Sequence, residues 1–307
     1  MANQKLNHFK TISEFHNSRN LPPPEHPLIS IINVQDIKHY AQPINMVLDY
    51  YSISLKRDFN GKFSYGQSEY DFDEGLMYFI SPNQVFKIEH PKDELARQKG
   101  WLLLIHPDFF WNTGLAKNIK HYEFFDYSVN EALFLSDKEE RLINSIAENI
   151  TQEYHNNIDK FSQNIIISQI ETLLNYSERF YQRQFITRKI ANHKILNLLE
   201  KTLNDYFKSD DLVKKGLPTV QFISESLNIS PNYLSNLLKT LTGQSTQQHI
   251  HDKLIKEAKE KLSISNESIS EIAYQLGFEH TSSFSKLFKI KTNQSPLEFR
   301  NSFNISI

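Results

Sequence analysis

Two textures divide this chain. From Leu28 to about Ile105, apolar and aromatic residues come in short runs such as MVLDYYSISLKRDF, GLMYFI, QVFKIEH and GWLLLIH. Turn signals such as FNGKF and FDEGL break them, which predicts several short strands closing as an antiparallel barrel or sandwich. Residues 1–27 are polar and end in LPPPEHP, which predicts an extended lead-in. After His106 the period becomes helical. Ser136 to Glu139 reads as a capping box, and Leu142, Ile146, Ile150 and Tyr154 follow at four-residue steps. A second stripe, Ile166, Ile170, Leu173, Leu174 and Phe180, lies on a helix expected from Phe161 to about Arg183. Two such stripes must be buried, either against the β-region or against the same helices of a second subunit. From Ile190 onward every element reads as a short helix, the first over about Ala191 to Phe207, followed by the loop KSDDLVKKGLP.

The helical C-terminus repeats itself. YLSNLLKTLTGQS, from Tyr233, and SFSKLFKIKTNQS, from Ser283, align without a gap at an offset of fifty residues. Upstream of them, TVQFISESLNISPN and SISEIAYQLGFEHTS each read as a short amphipathic helix and a tight turn. A helix-turn-helix needs a small residue where the helices cross, then one that tolerates positive φ, then an apolar plug. Ser224, Asn228 and Ile229 meet that need in the first unit; Ala273, Gly277 and Phe278 meet it in the second. The second helix of each unit has a narrow apolar face, Leu234, Leu237 and Leu238 or Phe284, Leu287 and Phe288. The opposite faces carry Asn232, Ser235, Asn236 and Lys239, then Ser282, Ser285, Lys286 and Lys289. Such a helix fits the major groove of DNA, where Asn and Lys reach base edges. Each phrase ends on a capping box, at Ser245 and Ser295. The helix launched at Ser245 should run to about Leu262, roughly 27 Å at the helical rise. It would be a strut setting the two units near one DNA turn, about 34 Å, apart.

Composition sharpens this picture in a few places. Eight glycines are too few for a fold built on phosphate-binding glycine loops, and the absence of cysteine excludes disulfides and thiolate zinc sites. No run reaches the roughly 18 apolar residues of a membrane span, and the N-terminus lacks an apolar leader segment, so a soluble, cytoplasmic protein is expected. The net charge of −2 divides unevenly: residues 191–307 hold 14 Lys+Arg against 12 Asp+Glu, or +2, leaving −4 for the rest. The competing class is a cupin-type enzyme or sugar-binding module with a helical tail. Metal-dependent cupins need a His-x-His pair with further ligands on neighbouring strands. His39, His90 and His106 of the β-region stand singly, and the one His-x-His, His249-Ile250-His251, lies in the strut helix with its side chains diverging. No G-x-S-x-G, G-x-x-x-x-G-K-[ST] or H-E-x-x-H is present. No catalytic residue, metal or cofactor is therefore expected. The aromatic run HYEFFDY, His121 to Tyr127, is read as cover for the β-core.

From about Gly216 to Arg300 the chain resembles the DNA-binding domain of AraC-family transcription regulators. The residues that carry the resemblance are LPTVQFISESLNISPNYLSNLLKTLTGQS, AKEKL and ISEIAYQLGFEHTSSFSKLFKIKTNQSPLEFR. One departure is Asn293, where the family usually has Gly; Asn also accepts the left-handed conformation. The resemblance implies base or adjacent backbone contacts by Asn232, Ser235, Asn236, Thr281, Ser282, Ser285 and Lys286. Lys239 and Lys289 would contact phosphate or remain solvated, and Tyr233 and Ser283 would stand at the edge of the reading face. More weakly, YDFDEGLMYFISPNQVFKIE looks like part of the family's cupin-like effector domain, with its P-x-Q corner. The expected chain is α+β: a cupin-like antiparallel β-barrel sensor (1–130), a helical dimerisation and linker segment (131–185), and an all-α domain with two helix-turn-helix units (186–307). The implied function is a homodimeric transcription regulator modulated by a small-molecule effector. Its partners would be double-stranded operator DNA and RNA polymerase, with no membrane.

Overall fold

The computed structural model describes residues 6–37, 44–57, 75–88, 99–128, 131–156 and 159–304. FNGKF, the start of YDFDEGL, His39 and His90 lie outside these residues. The chain forms two compact units, Met1–Thr187 and Arg188–Ile307.

In the first unit, strands β1 (Leu6–Phe9), β2 (Ile29–Asn33), β3 (Ile44–Leu48), β4 (Tyr51–Arg57), β5 (Gly75–Ile80), β6 (Val85–Ile88), β7 (Lys99–Ile105) and β8 (Leu133–Leu135) build two sheets. Their orders are β1-β3-β6 and β2-β7-β4-β5-β8. The expected closed barrel is corrected: among the described residues no pairing joins one sheet to the other. Nor is every pair antiparallel, because β1 runs parallel to β3. The segment read as an extended lead-in supplies that strand and helix α1 (Ile12–Ser18). Thr11 Oγ1 accepts the Glu14 N–H at 3.1 Å, while the Glu14 carboxylate accepts the Thr11 N–H at 3.4 Å and the Lys10 N–H at 2.8 Å. This capping box, legible as Thr-Ile-Ser-Glu, was the missed signal. The helix supplies part of the long connection that parallel neighbours require.

Ile12, Phe15, Ile32, Met46, Leu48, Tyr50, Ile80, Phe86 and Leu104 form a core drawn from both sheets and α1. The other face of the five-stranded sheet is covered by helices α3 (Asp137–His155) and α4 (Ser162–Thr187). Their apolar stripes, including Ile146, Ile150, Ile166, Ile170 and Leu174, are buried within the unit. The stripes left open between a sheet and a second subunit are thus occupied by the sheet. Polar contacts fix the docking: Gln184 Oε1 accepts the Phe134 N–H at 2.9 Å, and the Arg183 guanidinium donates to the Phe134 carbonyl and the Glu139 carboxylate, both at 2.7 Å. Burial on both faces explains why β5 reads as an unbroken apolar run. Ser81-Pro82-Asn83-Gln84 forms the turn between β5 and β6. Asn83 has φ 65°, and Gln84 Nε2 donates to the Tyr127 carbonyl at 3.1 Å. The run from His121 buries Phe124, Phe125 and Tyr127, with Phe124 stacked on Tyr181 at 5.5 Å.

The second unit is helical: α5 (Lys189–Lys208), α6 (Asp211–Lys215), α7 (Val220–Leu227), α8 (Pro231–Thr242), α9 (Thr246–Ile264), α10 (Ile269–Gln275), α11 (Thr281–Thr292) and α12 (Pro296–Asn304). Helix α6 falls where the sequence suggested only a loop. The i,i+4 pairs Lys214–Asp210 and Lys215–Asp211, at 3.0 and 3.1 Å, were its local signal. Tyr206 of α5 donates to the Gly216 carbonyl at 2.9 Å and packs edge-on to Phe222 of α7, which ties α5 to the first helix-turn-helix.

Candidate nucleic-acid interface

The two helix-turn-helix units follow one plan. Thr219 caps α7 by accepting the Phe222 N–H at 3.0 Å, and Ser268 caps α10 by accepting the Glu271 N–H at 3.2 Å. Both helices stop on a left-handed residue, Asn228 at φ 57° and Gly277 at φ 79°. The next residue folds its N–H back to the helix: Ile229 to Ser224 and Phe278 to Ala273, each at 3.0 Å. Ser224 and Ala273 are each 1% exposed, the close crossing that demanded small side chains. The turn of the second unit then runs one residue longer, through Glu279 and His280, before α11 begins.

Helices α8 and α11 keep the fifty-residue offset throughout. They end on Gly243 at φ 75° and Asn293 at φ 60°, so the departure at Asn293 holds the left-handed cap as expected. The Thr242 and Thr292 hydroxyls each donate four residues back, to the Leu238 and Phe288 carbonyls, at 2.8 Å. The Ser245 and Ser295 N–H groups each reach the next capping partner, Gln248 or Glu298, at 2.7 Å. Leu234, Leu237 and Leu238 are fully buried in the first unit, as are Phe284 and Phe288 in the second. Leu287 is only half-buried. Each side chain fully taken from water contributes about 1.5–3 kcal/mol, so these short stripes hold the reading helices in place.

The expected reading residues separate into three groups. Lys239, Ser282, Ser283, Lys286 and Lys289 are exposed and stand on the outer faces. Asn232, Asn236 and Ser285 are half-buried on the same faces. Two more are turned toward the protein: Ser235 Oγ lies 3.2 Å from Oγ1 of fully buried Thr246, and Thr281 Oγ1 donates to Ser270 Oγ at 3.2 Å. Tyr233 is corrected. It is 5% exposed and belongs to the core, because it stands one turn before Leu237 and widens the α8 stripe. Its counterpart Ser283 is exposed. A residue not singled out from sequence is His280, exposed at the N-cap of α11, where its side chain makes no capping bond. Its signal was its alignment with Ser230, which does cap α8.

The strut α9 carries Ile250, Leu254, Ala258 and Leu262 inward, and it reaches Ile264, two residues beyond the expected end. His249 and His251 each have their own partner, Thr242 Oγ1 and Gln247 Nε2, both at 2.9 Å. Burial lowers both imidazole pKa values. Among the described residues no cluster of three or more His, Asp or Glu side chains could hold a metal ion, and no helix is long and apolar enough to cross a membrane.

A family model described as a helix-turn-helix domain matches residues 223–302. The chain is 36% identical over 127 residues to the raffinose operon transcriptional regulatory protein RafR of Pediococcus pentosaceus, covering 41% of this chain and 43% of that one. It is 35% identical over 83 residues to the uncharacterized HTH-type transcriptional regulator YobQ of Bacillus subtilis, covering 27% of this chain and 34% of that one. It thus spans less than half the length of either curated relative. Among solved structures, a transcriptional regulator with an AraC-type DNA-binding domain from Chromobacterium violaceum is 17% identical and overlaps 38% of this chain and 99% of its own, with a TM-score of 0.34. The geometry of the two units agrees with the family-model match: residues 223–302 form a helix-turn-helix domain.

Proposed function

We propose that the protein is a sequence-specific DNA-binding transcription regulator whose two reading helices, α8 and α11, enter the major groove and read different bases. The observation that carries this reading is the pairing of a shared scaffold with dissimilar outer faces. The spans of α8 and α11, their left-handed stops and the capping boxes that follow coincide at a fixed offset, while Asn232 and Asn236 on one helix stand at the places of Ser282 and Lys286 on the other. Asn pairs with adenine and Lys with guanine in the major groove, so the two halves of the binding site differ in sequence. Lys239 and Lys289, exposed at the far ends, serve phosphates. The relatives named as transcriptional regulators support the same reading.

In this reading the first unit is a sensor. A ligand that it prefers in one state shifts DNA affinity by linkage. The protein acts in the cytoplasm as a homodimer, contacts RNA polymerase at its promoters, and performs no catalysis. The test is binding-site selection with the full chain and with the Asn236→Ala and Lys286→Ala variants. Each variant should lose base preference in its own half of the site. Wild type and both variants returning one motif would overturn the assignment of the reading face. Binding should also weaken steeply with salt, as phosphate contact requires.

A further inference from the structure

The strut α9 and the C-terminal end of α11 form a groove of about 300 Å³ on the second unit, lined by Asp252, Ile255, Lys256, Lys259 and Lys291. Spacings of three and four residues set Asp252, Ile255, Lys256 and Lys259 on one side of α9. That side adjoins the inward stripe of Ile250, Leu254, Ala258 and Leu262. Ile255 is 8% exposed and gives the groove an apolar floor. Lys256 and Lys259 are exposed and stand at its rim.

Three ammonium groups line this groove against one carboxylate, which leaves the lining at +2. Asp252 is engaged through both oxygens, accepting from Gln244 Nε2 at 2.8 Å and from Lys291 Nζ at 3.3 Å. Among the described residues Lys256 and Lys259 form no ion pair; Lys259 Nζ lies 5.7 Å from the Phe299 ring centroid. Their neighbour Lys253, by contrast, pairs with Glu257 at 2.7 Å. The charge is not inherited from the repeat, because Leu241, half-buried, stands at the place of Lys291 in the first unit. Lys291 lies nine residues beyond Ser282 and so about 180° round α11 from it. The groove therefore opens on a side of α11 away from Ser282 and Lys289.

We propose that this groove docks a short acidic segment of a partner protein, in which carboxylates flank one apolar side chain. Lys256, Lys259 and Lys291 pair with the carboxylates, and the apolar side chain covers Ile255. A small-molecule site encloses most of its ligand within mainly apolar walls, whereas an open groove rimmed by lysines suits a peptide laid across it. Ammonium groups on flexible stems act as point charges that adapt to carboxylates at varied spacing, and complementary charge steers the encounter. The segment and DNA bind together, because the groove faces away from the outer residues of α11. That last step rests on reading α8 and α11 as the DNA-contacting helices; the groove and its charge do not.

The experiment measures fluorescence anisotropy of the labelled peptide Gly-Asp-Glu-Leu-Glu-Asp-Gly with the full chain, alone and on a duplex carrying its selected site. The peptide Gly-Asn-Gln-Leu-Gln-Asn-Gly is the control, and inorganic phosphate and an unrelated duplex are the competitors. The acidic peptide should bind about tenfold or more tighter than the control, equally with and without the duplex, and more weakly as salt rises. Lys256→Gln combined with Lys259→Gln should weaken it about tenfold while circular dichroism and DNA affinity stay unchanged, and Lys256→Arg combined with Lys259→Arg should retain it. Equal binding of the two peptides, binding of neither, or undiminished binding by the folded glutamine variant would each overturn the proposal. So would displacement by phosphate at the peptide's own concentration, which marks a small-anion site, or displacement by either duplex, which marks a DNA-phosphate surface. A chain that binds the peptide through Lys256 and Lys259 but selects no DNA sequence sinks the regulator reading and spares this one; a chain that selects DNA but binds no acidic peptide does the reverse.

Discussion

The two helix-turn-helix units solve one packing problem with different residues, and each difference places a constraint on one unit that the other lacks. The first unit plugs its turn with Ile229 and fills its stripe with leucines. The second joins Phe278, Phe284, Phe288 and Phe299 in a chain of ring contacts at 5.5–5.8 Å. The turn residue is Asn228 in one and Gly277 in the other. Only Gly277 is closed in: a Cβ there would lie 2.4 Å from the Leu212 carbonyl oxygen and 2.9 Å from Gly216 Cα. The second turn is thus packed against α6, a segment outside the repeat.

That asymmetry gives the largest expected effect. Gly277→Ala combines backbone strain with a clash and should destabilise the second compact unit by about 3 kcal/mol or more. Asn228→Ala, at a position that already carries a Cβ, adds no such clash and should cost about 1 kcal/mol through left-handed strain. Urea denaturation of the full chain followed by circular dichroism distinguishes them, and equal losses would break the comparison. Next in size are the reading faces. Lys286→Ala and Asn236→Ala should each weaken specific binding by about 1–3 kcal/mol, in opposite halves of the site. Tyr233→Phe, a core change, should leave the selected motif unaltered, so an altered motif would return Tyr233 to the reading face.

The caps predict smaller effects. Asn293→Gly should stabilise by under about 1 kcal/mol and Gly243→Asn destabilise by a similar amount, since both positions are already left-handed. Smallest is a difference in acid response. The second unit closes its caps with Glu271 and Glu298, whose pKa values are lowered by hydrogen bonds from Ser268 and Ser295 respectively. Phe222 and Gln248 hold the matching places in the first unit and do not titrate. A depressed carboxylate contributes stability that is present above its unfolded pKa and lost as pH falls through the folded one. Amide exchange at the starts of α10 and α12 should therefore quicken on acidification below about pH 4.5, while the starts of α7 and α9 stay unchanged. Glu298→Gln should remove the effect at α12, and a persistent acid response in that variant would assign it elsewhere.

Legibility in the sequence followed the range of each interaction. The repeat, the serine caps and the left-handed stops at Asn228, Gly277 and Asn293 were all readable, because each depends on contacts within about five residues. So was the burial of the aromatic run from His121. Helices α1 and α6 were missed although their capping box and ion pairs were present, since polar composition and the neighbouring prolines and glycine outweighed those signals. The parallel pairing of β1 with β3 and the division into two sheets left no local trace. Sheet partners lie tens of residues apart, and strand periodicity says nothing about which edge meets which. The burial of the α3 and α4 stripes likewise depended on a sheet supplied by earlier residues.

What the sequence determined by itself was the existence of two helix-turn-helix units, their register and their different outer residues. These follow from side-chain spacing and short-range hydrogen bonding along a helix. The tertiary structure decided which of the candidates face outward. It drew Tyr233 into the core, turned Ser235 toward Thr246 and Thr281 toward Ser270, and locked Gly277 beneath the Leu212 carbonyl. A side chain's exposure is set by whatever packs over its helix, and those neighbours come from other parts of the chain.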